Sequence, residues 1–139
     1  MRAPSLFASF RFAFSGIVYA FRTQRNLKVH LGITAAVVIV GLWLRLPMER
    51  WAALAVTIGL VFQAELFNTA LEAIVDHVSP DFSPLAKVAK DCAAGAVFLS
   101  AACAVVVGLL ILGPPLLEVL AAIFIGANIN IEHPRLPRV

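Results

Sequence analysis

The chain has 139 residues, of which 61% are hydrophobic and only 14% charged, with a formal net charge of +3. A soluble domain is about 45–50% apolar and about 25% charged. The balance excludes an ordinary water-soluble fold and points to one domain built in a membrane.

The chain opens on SLFASFRFAFSGIVYAFR (residues 5–22), where Phe7, Phe10, Phe14, Ile17 and Phe21 recur at alternating steps of three and four. That spacing makes one helical stripe, with Ser9, Arg11, Ser15 and Arg22 mostly elsewhere. A helix with aromatics on one side and Arg on the other suits the bilayer surface; packing against the protein's own bundle is the other reading. Arg11, Ser15 and Arg22 interrupt any apolar run, so the segment does not read as a cleavable signal peptide. The first membrane helix is expected to serve as the targeting signal.

Three apolar spans follow. His30 to Leu46 is free of Asp, Glu, Lys and Arg until Arg45. It is short for a crossing, which takes roughly 20 residues, and has to borrow length from its basic N-terminal flank. Trp51 to about Val75 is the second span. Cys92 to Leu117 is the third, with no charge in 26 residues, and Pro114-Pro115 is expected to end its helix early. Cys92 and Cys103 fall on that one helix, roughly 16 Å apart by helical rise and too far to bridge. Residues 116–139 read as a partial or interfacial helix, LLEVLAAIFIGANINI, and a loose end, EHPRLPRV. The organisation is therefore an N-terminal surface helix with its basic flank (1–28), three crossings (29–113) and a C-terminal tail (114–139).

Five of the eleven Lys and Arg residues (Arg2, Arg11, Arg22, Arg25 and Lys28) precede the first span. The positive-inside rule then places the N-terminus in the cytoplasm. Three crossings put the 76–91 loop on the same side and the tail, with Arg135 and Arg138, outside.

The chemistry lies in AELFNTALEAIVDHV (residues 64–78). Glu65, Asn68 and Glu72 are spaced i, i+3 and i+7, which places them on one face of the second crossing. A carboxylate within a membrane span costs at least roughly 2.5–3.5 kcal/mol, so two on one face call for a function. Asp76 continues the face by another turn, and the following loop returns Lys87, Lys90 and Asp91 beside it. Carboxylates suit Mg²⁺, which keeps positions open for water and phosphate, and the lysines suit the phosphates. The residues alone leave three readings open: a nucleotide and metal site, a proton- or ion-coupled site, and helix packing in an oligomer. No Gly-rich phosphate loop is present in the sequence.

ELFNTALEAIVD followed by PLAKVAKDCAAGAVFL, with SFRFAFSGI and QRNLKVHL upstream, resembles the small bacterial diacylglycerol kinase and undecaprenol kinase family over roughly residues 5–112. The resemblance implies an all-α integral membrane protein, a surface helix plus three transmembrane helices, assembled as a homotrimer in the bacterial inner membrane. It implies transfer of the ATP γ-phosphate to a lipid hydroxyl at the cytoplasmic face with Mg²⁺, with undecaprenol favoured over diacylglycerol and no nucleic-acid partner. Glu65 is then the candidate general base and Glu72 a metal ligand. Asn68, Asp76, Lys90 and Asp91 lie at the nucleotide phosphates, and Arg11 and Gly16 help frame the lipid and nucleotide entry. His30 stands where diacylglycerol kinases of the family carry a second metal-binding Glu, and is a further possible ligand. Gln24 replaces the usual acidic residue before Arg25-Asn26, and Ser83 stands where a His is common. The rival from another class is a small ion- or proton-coupled transport protein using Glu65 and Glu72.

Overall fold

The computed structural model describes residues 5–131, with side chains placed to residue 125. Arg2, Arg135, Arg138 and the EHPRLPRV end lie outside the described residues. Four helices follow one another, with no strand among the described residues: α1 (Leu6–Thr23), α2 (Arg25–Trp43), α3 (Met48–Val78) and α4 (Pro84–Ile131).

Helix α1 starts where the Ser5 hydroxyl accepts the Ala8 N–H at 3.2 Å, satisfying one of the free donors of a first turn. The aromatic stripe keeps its exposure, with Phe7, Phe10 and Phe14 outward, while Ala8 and Ala20 are the residues α1 buries. The stripe from Phe7 to Phe14 is thus left for the surroundings, while Phe21 turns toward α3. The helix stops at Gln24, whose extended backbone breaks the α geometry and whose N–H still reaches the Ala20 carbonyl at 2.8 Å. Helix α2 begins at the next residue. Fully buried Ala20 and Leu27 flank this corner, and Phe21 rests on Phe62 of α3 with ring centroids 6.0 Å apart.

Helix α2 takes its missing length from the basic flank, as its short apolar run demands, and has 19 residues. Its link to α3 is tight: Arg45 adopts a φ of 52° and the Leu46 N–H reaches the Gly41 carbonyl at 3.1 Å. Gly41 is needed here because a Cβ would lie 2.8 Å from the Trp51 ring.

Helices α3 and α4 form the main packed pair. The polar link between them is only residues 79–83, so Lys87, Lys90 and Asp91 stand on the first turns of α4 rather than in a 76–91 loop. Ala93 and Val97 of α4, with Leu54 and Val61 of α3, are among the few buried apolar residues. Large side chains such as Ile39, Leu60, Phe67, Phe98 and Leu109 point outward. That inversion suits a chain solvated by lipid, and α2, α3 and α4 are each long and apolar enough to cross a membrane.

One expectation is corrected. Pro114-Pro115 does not end the third span's helix, and α4 continues through both prolines. An interior proline withdraws the N–H that would meet the carbonyl four residues back. For Pro115 that carbonyl belongs to Ile111, and the Arg50 guanidinium donates to it instead at 3.3 Å. A neighbouring helix therefore satisfies the freed group, the device by which membrane helices tolerate proline.

Candidate functional site

The acidic face of α3 runs toward its C-terminal end, where the α1–α2 corner and the start of α4 meet it. Glu65, Asn68 and Thr69 are its buried polar residues, with Glu65 only 2% exposed. The Thr69 hydroxyl donates back to the Glu65 carbonyl at 2.8 Å, which spares a second buried hydroxyl from needing a distant partner.

Each acidic group has a different partner. His30, on α2, places Nε2 3.3 Å from Glu65 Oε1. The approach is close enough for ion pairing but not aligned as a hydrogen bond, and Oε1 is buried without a hydrogen-bond partner among the described residues. His30 therefore stands against Glu65 rather than beside Glu72. The Glu72 carboxylate is held at both oxygens: Asn68 Nδ2 donates to Oε1 at 3.0 Å and Gln24 Nε2 donates to Oε2 at 3.3 Å. Asp76 pairs with Lys90 across the α3–α4 hairpin, and Lys87 pairs with Asp91 along α4. Both pairs are substantially exposed, so their ion pairing adds at most about 1 kcal/mol to stability.

Six of the expected residues thus form one descending series: Glu65 with His30, Glu72 with Asn68, and Asp76 with Lys90. Asp91, next to Lys90 in the chain, pairs instead with Lys87 along α4. Arg11 and Gly16 are not brought to this cluster. Arg11 is exposed on α1 with its guanidinium 5.5 Å from the Phe12 ring centroid, and the space beside Gly16 is open.

Gln24 carries a contact that the spacing along α3 does not disclose, whereas the Thr69 hydroxyl only caps back four residues to Glu65. The partnership of Gln24 with Glu72 spans 48 residues and depends on the sharp corner after Thr23. Next to Asn68, a groove of about 280 Å³ opens between α3 and α4, lined among others by Gln63, Ala64, Ala93, Ala96 and Ser100.

The groups that meet the Glu72 oxygens are carboxamide N–H donors, and Asn68 Oδ1 is a second buried acceptor without a hydrogen-bond partner among the described residues. One carboxylate with a spare carboxamide oxygen fits a hard divalent cation that keeps its other positions for water and phosphate. No group of three His, Cys, Asp or Glu converges among the described residues, so this is not a closed protein cage.

Comparison with known proteins decides the class. Residues 11–112 match the prokaryotic diacylglycerol kinase family. The chain belongs to that family. It is 50% identical over 119 residues to a diacylglycerol kinase of Synechocystis, covering 85% of this chain and 68% of that one. It is 43% identical over 110 residues to an undecaprenol kinase of Bacillus subtilis, covering 79% of this chain and 89% of the relative. Membership makes the protein a membrane lipid kinase with ATP as phosphoryl donor, and removes the ground for the ion-coupled reading. The helices that span the bilayer also carry the acidic series.

Proposed function

We propose that the protein phosphorylates the hydroxyl of a membrane lipid at the cytoplasmic face, using Mg-ATP, and that it works as a homotrimer in the bacterial inner membrane. Undecaprenol is the favoured acceptor, on His30 and on the A-F-x-G-I, R-N-x-x-x-H and A-A-G-A-V wording of α1, α2 and α4. Diacylglycerol is the second reading, on the identity to the Synechocystis enzyme. The observation that carries the proposal is the buried Glu65 carboxylate, its Oε1 facing His30 without a hydrogen bond, on the same face as a Glu72 held by two carboxamides.

The division of labour follows from position along α3. Glu65 and Glu72 are seven residues apart, roughly 10 Å along the helix axis. Glu65 sits deeper in the apolar span, where a lipid hydroxyl can reach it, and accepts that proton as the oxygen attacks the γ-phosphorus and the bond to the departing ADP breaks. His30 holds the Glu65 carboxylate in place from α2. Glu72, with Asn68 Oδ1 available beside it, would hold Mg²⁺. Bound there, the ion would neutralise charge on the phosphate oxygens. Lys90 and Lys87 at the hairpin meet the remaining phosphate charge, with Asp76 and Asp91 orienting them. Phosphoryl transfer asks mainly for such positioning and charge compensation. The groove beside Asn68 offers the acceptor's apolar chain a course along α3 and α4.

The basic flank supports the cytoplasmic assignment. Arg22, Arg25 and Lys28 surround the corner whose Gln24 touches Glu72, so the positive end and the acidic site share one side of the bundle. The deciding experiment presents purified protein in mixed micelles with Mg-ATP and either undecaprenol or diacylglycerol, and follows phosphate into lipid. Transfer to undecaprenol at the higher kcat/KM is expected. Absence of transfer to both lipids would end the proposal.

A further inference from the structure

The Glu72 site is unusual in its charge. Both carboxylate oxygens already accept an amide N–H, one from Asn68 on the same helix and one from Gln24 at the α1–α2 corner. The two neighbours are neutral, so the oxygen cluster carries one negative charge. The other acidic groups on this face are committed elsewhere: Glu65 faces His30 two turns deeper, and Asp76 is paired with Lys90. No third metal-ligating side chain converges there among the described residues.

We propose that Gln24 is a positioning residue which makes this a one-carboxylate site, able to take a divalent cation together with the nucleotide triphosphate but not before it. The inference rests on the kinase reading above. Its physical basis is charge balance: a dication at a single carboxylate within a mostly apolar bundle keeps an uncompensated positive charge, which low-dielectric surroundings penalise. The triphosphate supplies the missing negative charge. Gln24 has a second part to play. By gripping Oε2 it fixes the carboxylate from a corner that also anchors the surface helix, so docking of α1 and the aim of Glu72 are mechanically joined. Partners of a ligating carboxylate typically change metal affinity by roughly 10–100-fold when removed.

The test uses Mn²⁺ as a paramagnetic stand-in, with free ion measured by electron paramagnetic resonance on the full chain in detergent, without turnover. For the natural protein, Mn²⁺ alone should remain free, and addition of a non-hydrolysable ATP analogue should bring stoichiometric uptake. Gln24→Glu supplies the second carboxylate in the same shape and should take up Mn²⁺ without nucleotide, with a rise in Tm of several degrees on adding the ion. Gln24→Met keeps the bulk but cannot donate. It should keep its fold, raise the KM for Mg-ATP roughly 10–100-fold and leave kcat within about twofold of the natural value.

Uptake of Mn²⁺ by the natural protein before nucleotide, or an unchanged KM in Gln24→Met, would overturn the inference while leaving the kinase reading intact. Failure to take up the ion even with nucleotide, in folded protein, would instead count against the nucleotide site itself. Should Gln24→Glu fail to fold, the natural protein and Gln24→Met decide the matter between them.

Discussion

Replacing Glu65 by Gln separates chemistry from binding. The two side chains have the same shape, and Glu65 is 2% exposed with His30 Nε2 3.3 Å from Oε1. The amide therefore fits the same space, and the cost of burying a carboxylate among apolar helices disappears, so the Tm should hold or rise. What is lost is the acceptor for the lipid hydroxyl's proton. A positioned general base contributes typically about 10²–10⁴ in rate, equivalent to roughly 3–5 kcal/mol of barrier. Glu72 lies roughly 10 Å farther along α3 by helical rise and the hairpin lysines stand on the first turns of α4, so nucleotide binding should be unaffected. The assay is phosphate transfer to undecaprenol in mixed micelles at varied Mg-ATP, paired with binding of a non-hydrolysable ATP analogue. The expected result is a kcat lowered by at least about a hundredfold with the nucleotide Kd within twofold of the natural protein. If Glu65→Gln kept more than about a tenth of the natural kcat, Glu65 would not be the base.

Four further substitutions probe the rest of the design. Glu72→Gln should raise the KM for Mg-ATP by tenfold or more, or abolish binding by calorimetry, because it removes the charge that Gln24 and Asn68 hold in place. Lys90→Ala should weaken nucleotide binding with little change in Tm, since its pair with Asp76 is exposed and worth at most about 1 kcal/mol. Gly41→Ala should be destabilising by about 1–3 kcal/mol, seen as a lower Tm in detergent, because its Cβ would lie 2.8 Å from the Trp51 ring. Arg50→Met should leave the Ile111 carbonyl without its donor and cost about 1–3 kcal/mol. Adding Pro115→Ala to it should recover much of that loss, because alanine restores the N–H four residues on.

Hydropathy makes the three crossings readable, because a lipid-facing surface must be apolar whatever its neighbours, and the three-and-four spacing of aromatics makes the surface helix readable. The acidic face was readable as well: Glu65, Asn68 and Glu72 share a helix, and periodicity alone aligns them. The pairing of Asp76 with Lys90 follows from a short hairpin. Contacts that depend on where separate helices meet were not readable. Gln24 reaches Glu72 only because the chain turns sharply after Thr23, and His30 faces Glu65 only because α2 lies against α3 in this register. Local propensity ends the helix at the two prolines for the same reason, since it knows nothing of the Arg50 side chain that answers Ile111. Arg11 and Gly16, expected near the substrates, stand clear of the cluster in this chain.

The uninterrupted run of α4 has a practical outcome for anyone attaching probes. From Pro84 to Ile125 it contains 42 residues, roughly 63 Å of rise against a hydrocarbon slab about 30 Å thick. Its first turns hold Lys87 and Lys90, so on the proposed orientation its far portion is expected to extend past the opposite face of the slab. On the proposed orientation, a fluorophore at Ile125 is expected to report from across the lipid sheet, roughly 50 Å of helical rise from Lys90.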